Sequence, residues 1–286
     1  MRIFKFENIN QEKELAHLLI LNAMSKTRLF KDITFQGGTA LRLCYMGDRY
    51  SEDLDFVGEK KIPHEAVKEV GEFLIKELQR QIQNDVEVQV LEKKEDSILH
   101  KVVVSINSFN MNKQRNKILI ELAEDIPARI QEYRIARSKF YPEIPVYINT
   151  ETIEEIFADK LIAFGGRTFK ESYPFKARDV WDIDWITQRN DINGKKPYIN
   201  QLVLAKMKDY SMNKNDFITI CRQRIESLSS KKGSESFKAE MQNYLEENMV
   251  YLLDDELFIK SILNRVSAIT KEFVDDIFSS KGKERN

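Results

Sequence analysis

Two carboxylates two residues apart, Asp53 and Asp55 in the string Arg49-Tyr50-Ser51-Glu52-Asp53-Leu54-Asp55-Phe56, are the pair in this chain best suited to hold a divalent cation. In an extended strand residues i and i+2 share a face, so the two acids project side by side while Leu54 and Phe56 turn to the core. Like charges so placed repel unless a cation sits between them. Hard oxygen ligands in small number suit Mg²⁺ (or Mn²⁺), which uses one or two carboxylates together with substrate phosphates. About one helix earlier, Gly37-Gly38-Thr39 stands at an expected strand-to-helix junction. There, backbone N–H groups and the positive helix end would cradle phosphate oxygens. Either half alone is ordinary, since glycine pairs make turns and aspartates end strands. Together they put a phosphate cradle and a metal clamp in one supersecondary unit.

A further acid stands on a later expected strand. In Lys117-Ile118-Leu119-Ile120-Glu121-Leu122 the alternation puts Ile118, Ile120 and Leu122 on one face and Glu121 on the other, making Glu121 the candidate. A surface glutamate at a strand end is the competing account. Glu87, in Val86-Glu87-Val88-Gln89-Val90, is a rival with more polar flanks.

Further along, Lys160, Ala163, Phe164 and Arg167 recur at helical spacing, placing a cation at each end of one stripe. A compact ammonium suits a triphosphate oxygen, and a guanidinium can fork onto phosphate or carboxylate. Alternatively Lys160 reaches solvent and pairs with Glu154 or Glu155. The next expected helix, Pro174 to Arg189, carries Arg178, Asp179 and Asp182, the two acids on one face at i and i+3. Trp181 and Trp185 form its i, i+4 core stripe and would hold the acids rigidly. A structural salt bridge is the plainer account of Arg178 with Asp179.

These residues need particular elements around them. A first helix spans Asn10 to about Lys26, a short strand Ile33 to Gln36, a helix Thr39 to Met46, the acidic strand Asp53 to Val57, and a helix Pro63 to about Gln81. Strands follow at Val86–Val90, Val102–Ile106 and Lys117–Leu122, giving a mixed sheet of about five strands. After Pro142 and Pro145 the hydrophobic period changes from two to 3.6, so the expected division is a sheet domain, 1–149, and a helical domain, 150–286. Thr152-Ile153-Glu154-Glu155 reads as a capping box opening the second domain. The fold class is α+β.

The Gly-Gly … Asp-x-Asp spacing resembles the signature of DNA polymerase β-like nucleotidyltransferases. The fuller string, Gly37-Gly38-Thr39-Ala40-Leu41 followed by Arg49-x-Ser51-x-Asp53-Leu54-Asp55-Phe56, is similar to the first motif of the AbiEii/AbiGii abortive-infection toxins. The Ile118–Leu122 stretch resembles their second motif, and the run from Glu155 through Lys160 and Arg167 to Arg178-Asp179-Val180-Trp181-Asp182-Ile183 resembles their third and fourth. The resemblance covers residues 35 to about 186 and fades beyond Asn190. It implies that NTP is the substrate, with Asp53, Asp55 and Glu121 on the metal, and Gly37, Gly38, Thr39, Arg49, Ser51, Lys160 and Arg167 on the nucleotide. The motif lysine and last aspartate, Lys160 and Asp182, are implied to be essential, so the helical domain would contribute to catalysis. Arg178 and Asp179 match motif positions without a fixed job. Ser51 would orient the carboxylates or become modified, and orientation is the favoured role. The implied biology is a type IV toxin–antitoxin or phage-resistance toxin, with a cognate antitoxin as partner and tRNA or other RNA as acceptor. The other two readings are an antibiotic-type small-molecule adenylyltransferase and an inactive nucleotide-binding or partner-binding member of the fold.

Composition sets outer bounds. With 45 basic and 46 acidic side chains in 286 residues the formal charge is −1, so the whole surface is not a polycation and RNA would need a local patch. The best patch is Lys113 to Lys117 with Arg129, Arg134, Arg137 and Lys139, diluted by Glu124, Asp125 and Glu132. Two distant cysteines, Cys44 and Cys221, and three histidines offer neither a disulfide framework nor a zinc site. No apolar run reaches 18 residues and the opening turns polar too early for a signal peptide, so a cytoplasmic protein with no membrane segment is expected.

Overall fold

In the computed structural model, residues 8–82, 85–95, 97–107, 115–170 and 174–279 are described. The chain divides into two compact units, Met1–Thr152 and Ile153–Asn286.

The first unit is built on a seven-stranded mixed sheet rather than one of about five. Helix α1 (Ile9–Met24) starts where the Asn8 side chain accepts the Gln11 N–H, and it buries Leu15, Leu18, Ile20 and Leu21. Strand β1 (Thr34–Gln36) runs straight into α2 (Gly37–Cys44), and β2 (Leu54–Val57) follows. After α3 (His64–Ile82) come β3 (Val86–Leu91), β4 (Leu99–Asn107) and β5 (Arg115–Ala123). The two strands not expected are β6 (Gln131–Ala136) and β7 (Val146–Glu151). Sheet order is β3-β4-β5-β2-β1-β7-β6, with β2 parallel to β5, β1 parallel to β7, and antiparallel pairing elsewhere. Asp55 therefore lies in the middle of the sheet. Its neighbours in register are Gln36 on one side and Glu121 on the other.

The second unit is helical. It contains α4 (Ile153–Gly166), α5 (Ala177–Thr187), α6 (Lys196–Asp209), α7 (Lys214–Leu228), α8 (Lys231–Met241), the single turn α9 (Glu247–Val250) and α10 (Glu256–Ser279). Helices α4 and α7 approach closely at Gly165, where an added Cβ would lie 2.2 Å from Phe217 and 2.6 Å from Cys221 Sγ. Lys206 of α6 is fully buried, with its ammonium 2.9 Å from Glu155 and 3.0 Å from Asp159 of α4.

That buried triad overturns the expected capping box. Glu155 is committed to Lys206, and the buried Thr152 hydroxyl has no hydrogen-bond partner, so α4 begins without the reciprocal bonds. The tryptophan stripe is also only half formed. Trp181 is buried and stacks on Phe237 at 6.4 Å, whereas Trp185 is half-buried beneath the Arg189 guanidinium, 4.8 Å away. Helix α5 starts at Ala177, three residues after Pro174.

Candidate active site

The sheet unit gathers most of the first motif at the start of α2. Gly37 has φ of +79°, a left-handed conformation that L side chains adopt only under strain. A Cβ there would stand 2.5 Å from Asp55 Oδ2. A Cβ on Gly38 would stand 2.6 Å from the Arg49 guanidinium and 3.0 Å from Ser51 Oγ. The two glycines therefore let a carboxylate, a guanidinium and a hydroxyl close on the first turn of a helix, whose N–H groups and dipole favour anions. Leu54 and Phe56 are buried while Asp53 and Asp55 are half-exposed, the alternation expected of the strand, although Asp53 lies one residue before β2.

The loop carrying Arg49, Ser51 and Asp53 is held by its carbonyls. Arg49 Nη1 donates to Tyr50 O at 2.8 Å, His17 Nε2 on α1 lies 2.9 Å from Glu52 O, and the Thr39 hydroxyl donates to Asp53 O. Thr39 is buried, so its side chain positions the acidic strand, and what it can offer a phosphate is its backbone N–H. Burial holds the His17 imidazole neutral, lowering its pKa to about 4. His17 was not anticipated from the sequence, where it sits inside the apolar run Leu15–Leu21 and reads as core.

Glu121 occupies the expected strand and face, in register with Asp55. Its carboxylate, however, is taken by Lys101, directly opposite on β4, at 2.6 Å. The rival Glu87 is bound by Arg115 at 2.5 Å. Among the described residues no three acidic, histidine or cysteine side chains converge as a metal site, so the expected Asp53, Asp55 and Glu121 triad is not assembled. Two carboxylates beside a phosphate-binding turn still fit a Mg²⁺ ion that takes its remaining ligands from substrate and water.

The helical unit has its own cluster. Lys160 Nζ lies 2.8 Å from Asp182 Oδ2 and 3.4 Å from Asp179 Oδ1, and Asp179 is also bound by Arg167. The two aspartates are buried. The alternative of Lys160 pairing with Glu154 or Glu155 does not occur, because Lys195 takes Glu154 and Lys206 takes Glu155. Arg178 lies 3.6 Å from Glu240 and 4.5 Å over the Tyr244 ring, and Arg167 joins Lys160 on Asp179, so the expected Arg178–Asp179 bridge does not by itself account for this carboxylate. Buried Arg224 donates to the carbonyls of Ala163, Arg167 and Pro174, tying the end of α4 to the segment before α5. Sequence gave no signal for it.

The model of the "Nucleotidyl transferase AbiEii toxin, Type IV TA system" family matches residues 19–270. The chain belongs to this family. As an AbiEii nucleotidyltransferase it shares its fold with three solved structures. The MenT4 nucleotidyltransferase toxin of Mycobacterium tuberculosis is 16% identical, with a TM-score of 0.58 over 94% of this chain and 93% of that one. JHP933 of Helicobacter pylori is 17% identical, with a TM-score of 0.53 over 96% and 95%. A putative nucleotidyltransferase of H. pylori is 18% identical, with a TM-score of 0.50 over 96% and 97%. No curated protein matches the chain in sequence. Among the described residues of this AbiEii protein, no helix is long and apolar enough to cross a membrane.

Proposed function

We propose that this AbiEii nucleotidyltransferase is metal-dependent and moves a nucleoside monophosphate from an NTP to a cellular RNA acceptor, such as a tRNA end, releasing pyrophosphate. The observation that carries this reading is the closure of the Asp55 carboxylate, the Arg49 guanidinium and the Ser51 hydroxyl on Gly37-Gly38 at the α2 N-terminus. Backbone N–H groups of that turn bind phosphate oxygens, and Arg49 adds positive charge beside them. Asp53 and Asp55 would hold Mg²⁺ or Mn²⁺, which when bound neutralises the triphosphate and stabilises entering and leaving oxygens. Ser51 orients this cluster. Lys160 serves the same reaction as a cation for phosphate, on the strength of the motif match, and Asp182 fixes the direction of its ammonium. Glu121 joins the acidic set only if it releases Lys101. Such a protein works in the cytoplasm, where NTP is plentiful, and its type IV family implies a cognate antitoxin.

The test is incubation of the protein with Mg²⁺, each labelled NTP in turn, and total tRNA, beside Asp55→Asn. Label entering RNA with the wild type alone is the expected result. A second reading, transfer to a small molecule, is favoured by the formal charge of −1 and predicts label on small acceptors instead. No label on any acceptor at several metals would leave a nucleotide-binding or partner-binding protein without turnover.

A further inference from the structure

One face of the β6–β7 ribbon is left open. Register pairs Tyr133 with Asn149 and Ile135 with Tyr147, so the two tyrosines stand diagonally on one face, within reach of each other. Their rings stack, with centroids 6.2 Å apart and planes 16° from parallel. Even so, Tyr133 is 69% and Tyr147 56% exposed, with Ile135 at 39%. A stacked pair in water covers only its inner faces and leaves flat apolar surface for another ring.

The same face runs on into a groove. Gln131, two residues before Tyr133, accepts the Thr34 hydroxyl at 3.1 Å, and both line a cavity of about 750 Å³. Its rim carries Arg28, Lys31, Lys60 and Lys61, none of which has an ion pair or side-chain hydrogen bond among the described residues. At the other end of the ribbon the exposed Arg137 follows Ile135 at the same alternation and is also without an ion-pair partner among those residues. Asp32, Glu59 and Glu69 share the rim, so five cations face three acids along the track. From Gln131 to Arg137 the extended backbone spans roughly 20 Å.

We infer that this face docks single-stranded RNA, with bases stacking on Tyr133 and Tyr147 and the sugar–phosphate backbone meeting Arg137 at one end and the groove lysines at the other. Exposed rings on a sheet with flanking unpaired cations are what single strands bind, because every base has a π-face and every linkage a charge. A protein strand adding to the edge of β6 would use its backbone groups and leave the cations unanswered. Of the basic cluster read from sequence, Arg137 belongs to this surface. Arg115 is bound to Asp85 and Glu87, Arg134 is bound to Glu132 under the Tyr45 ring, and Lys113 and Gln114 lie outside the described residues. The inference rests on the nucleotidyltransferase reading for its choice of RNA as partner.

The experiment is fluorescence anisotropy of a labelled, unstructured ~12-nucleotide RNA with the full chain and no NTP. Tyr133→Ala and Tyr147→Ala should each weaken binding about tenfold, on the scale of one lost base stack. Tyr133→Phe should hold it within about twofold, since the ring face remains. Lys60→Ala with Lys61→Ala should lower the salt slope by roughly 1 to 2. Unchanged affinity in a normally folded Tyr133→Ala/Tyr147→Ala variant overturns the inference, as does absence of RNA binding or tighter binding of duplex or single-stranded DNA. Loss of self-association in that variant, by sedimentation, without a change in RNA affinity would assign the face to a second copy and equally overturn it. Transfer to RNA with unchanged KM in the double variant removes the surface and leaves the nucleotidyltransferase reading standing. Tyrosine-dependent RNA binding without any transfer by wild type does the reverse.

Discussion

Gly37 and Asp55 stand so close that no side chain fits between them: a Cβ on the glycine would lie 2.5 Å from the carboxylate oxygen. Gly37→Ala therefore meets two penalties, a left-handed backbone costing about 1–2 kcal/mol and displacement of Asp55. The expected outcome is nucleotidyl transfer reduced at least tenfold with a Tm only a few degrees lower. Equal loss of activity and of folded protein would reduce Gly37 to a structural turn.

Asp55→Asn keeps the shape and removes the charge. Transfer should fall ~10²-fold or more, on the scale of a lost preorganised charge, while Glu121→Gln should cost far less because Lys101 already neutralises that carboxylate. Single-turnover rates for the two variants side by side decide this. If Glu121→Gln matches Asp55→Asn, the Lys101 pair opens during the reaction and Glu121 is a ligand after all.

Lys160→Ala and Asp182→Ala should each lower transfer ~10²-fold. Asp182→Asn should be milder, because the amide can still hold one hydrogen bond to the ammonium 2.8 Å away. Full turnover in Lys160→Ala would remove the helical unit from the chemistry.

Lys206→Met leaves Glu155, fully buried, without its cation. Breaking one side of a buried pair costs about 3–5 kcal/mol, and replacing both partners by apolar residues recovers much of it. Chemical denaturation of Lys206→Met and of Lys206→Met/Glu155→Leu should show that order, with Asp159 losing the same ammonium in both. Equal midpoints for the two would mean that Asp159 alone sets the cost.

His17 gives stability a pH dependence. Burial lowers its pKa to about 4 from 6.5, outweighing the bond to the Glu52 carbonyl. With the folded value depressed, the unfolded chain takes up the proton first as pH falls. The contribution is complete above about 6.5 and is lost progressively down to about 4, on the order of 1–3 kcal/mol. Thermal melts between those limits should fall for wild type and flatten for His17→Gln. Parallel curves would shift the acid sensitivity to other groups. Glu124 is not among them in that window: burial pushes its pKa up, but hydrogen bonds from Lys93 and His100 bring it down to about 2, so it acts at lower pH.

How far sequence reached depends on how local each feature is. Gly37, Arg49, Ser51 and Asp55 were legible because about twenty residues of strand, helix and strand suffice to bring them together. Asp179 and Asp182 share a helix face with Lys160 in reach for the same reason, i and i+3 periodicity. Strands β6 and β7 were not legible: β6 is an edge strand whose outward positions include exposed Gln131 and Tyr133, so its alternation lacks a clear apolar half. The face of Glu121 followed from alternation, but its partner did not, since Lys101 reaches it through the register of β4 on β5. Glu155 looked like half of a cap because its true partner, Lys206, is 51 residues away in sequence and counts as a surface residue by type.

Three carbonyls of the 50–53 loop, those of Tyr50, Glu52 and Asp53, are gripped by Arg49, His17 and Thr39. The scaffold thus grasps this stretch by its main chain, and Lys13 of α1 adds a side-chain hold on Glu52 at 3.4 Å. With the backbone pinned from three neighbouring side chains, a substitution along 50–53 has to disturb one of those grips before it can move the acids that follow.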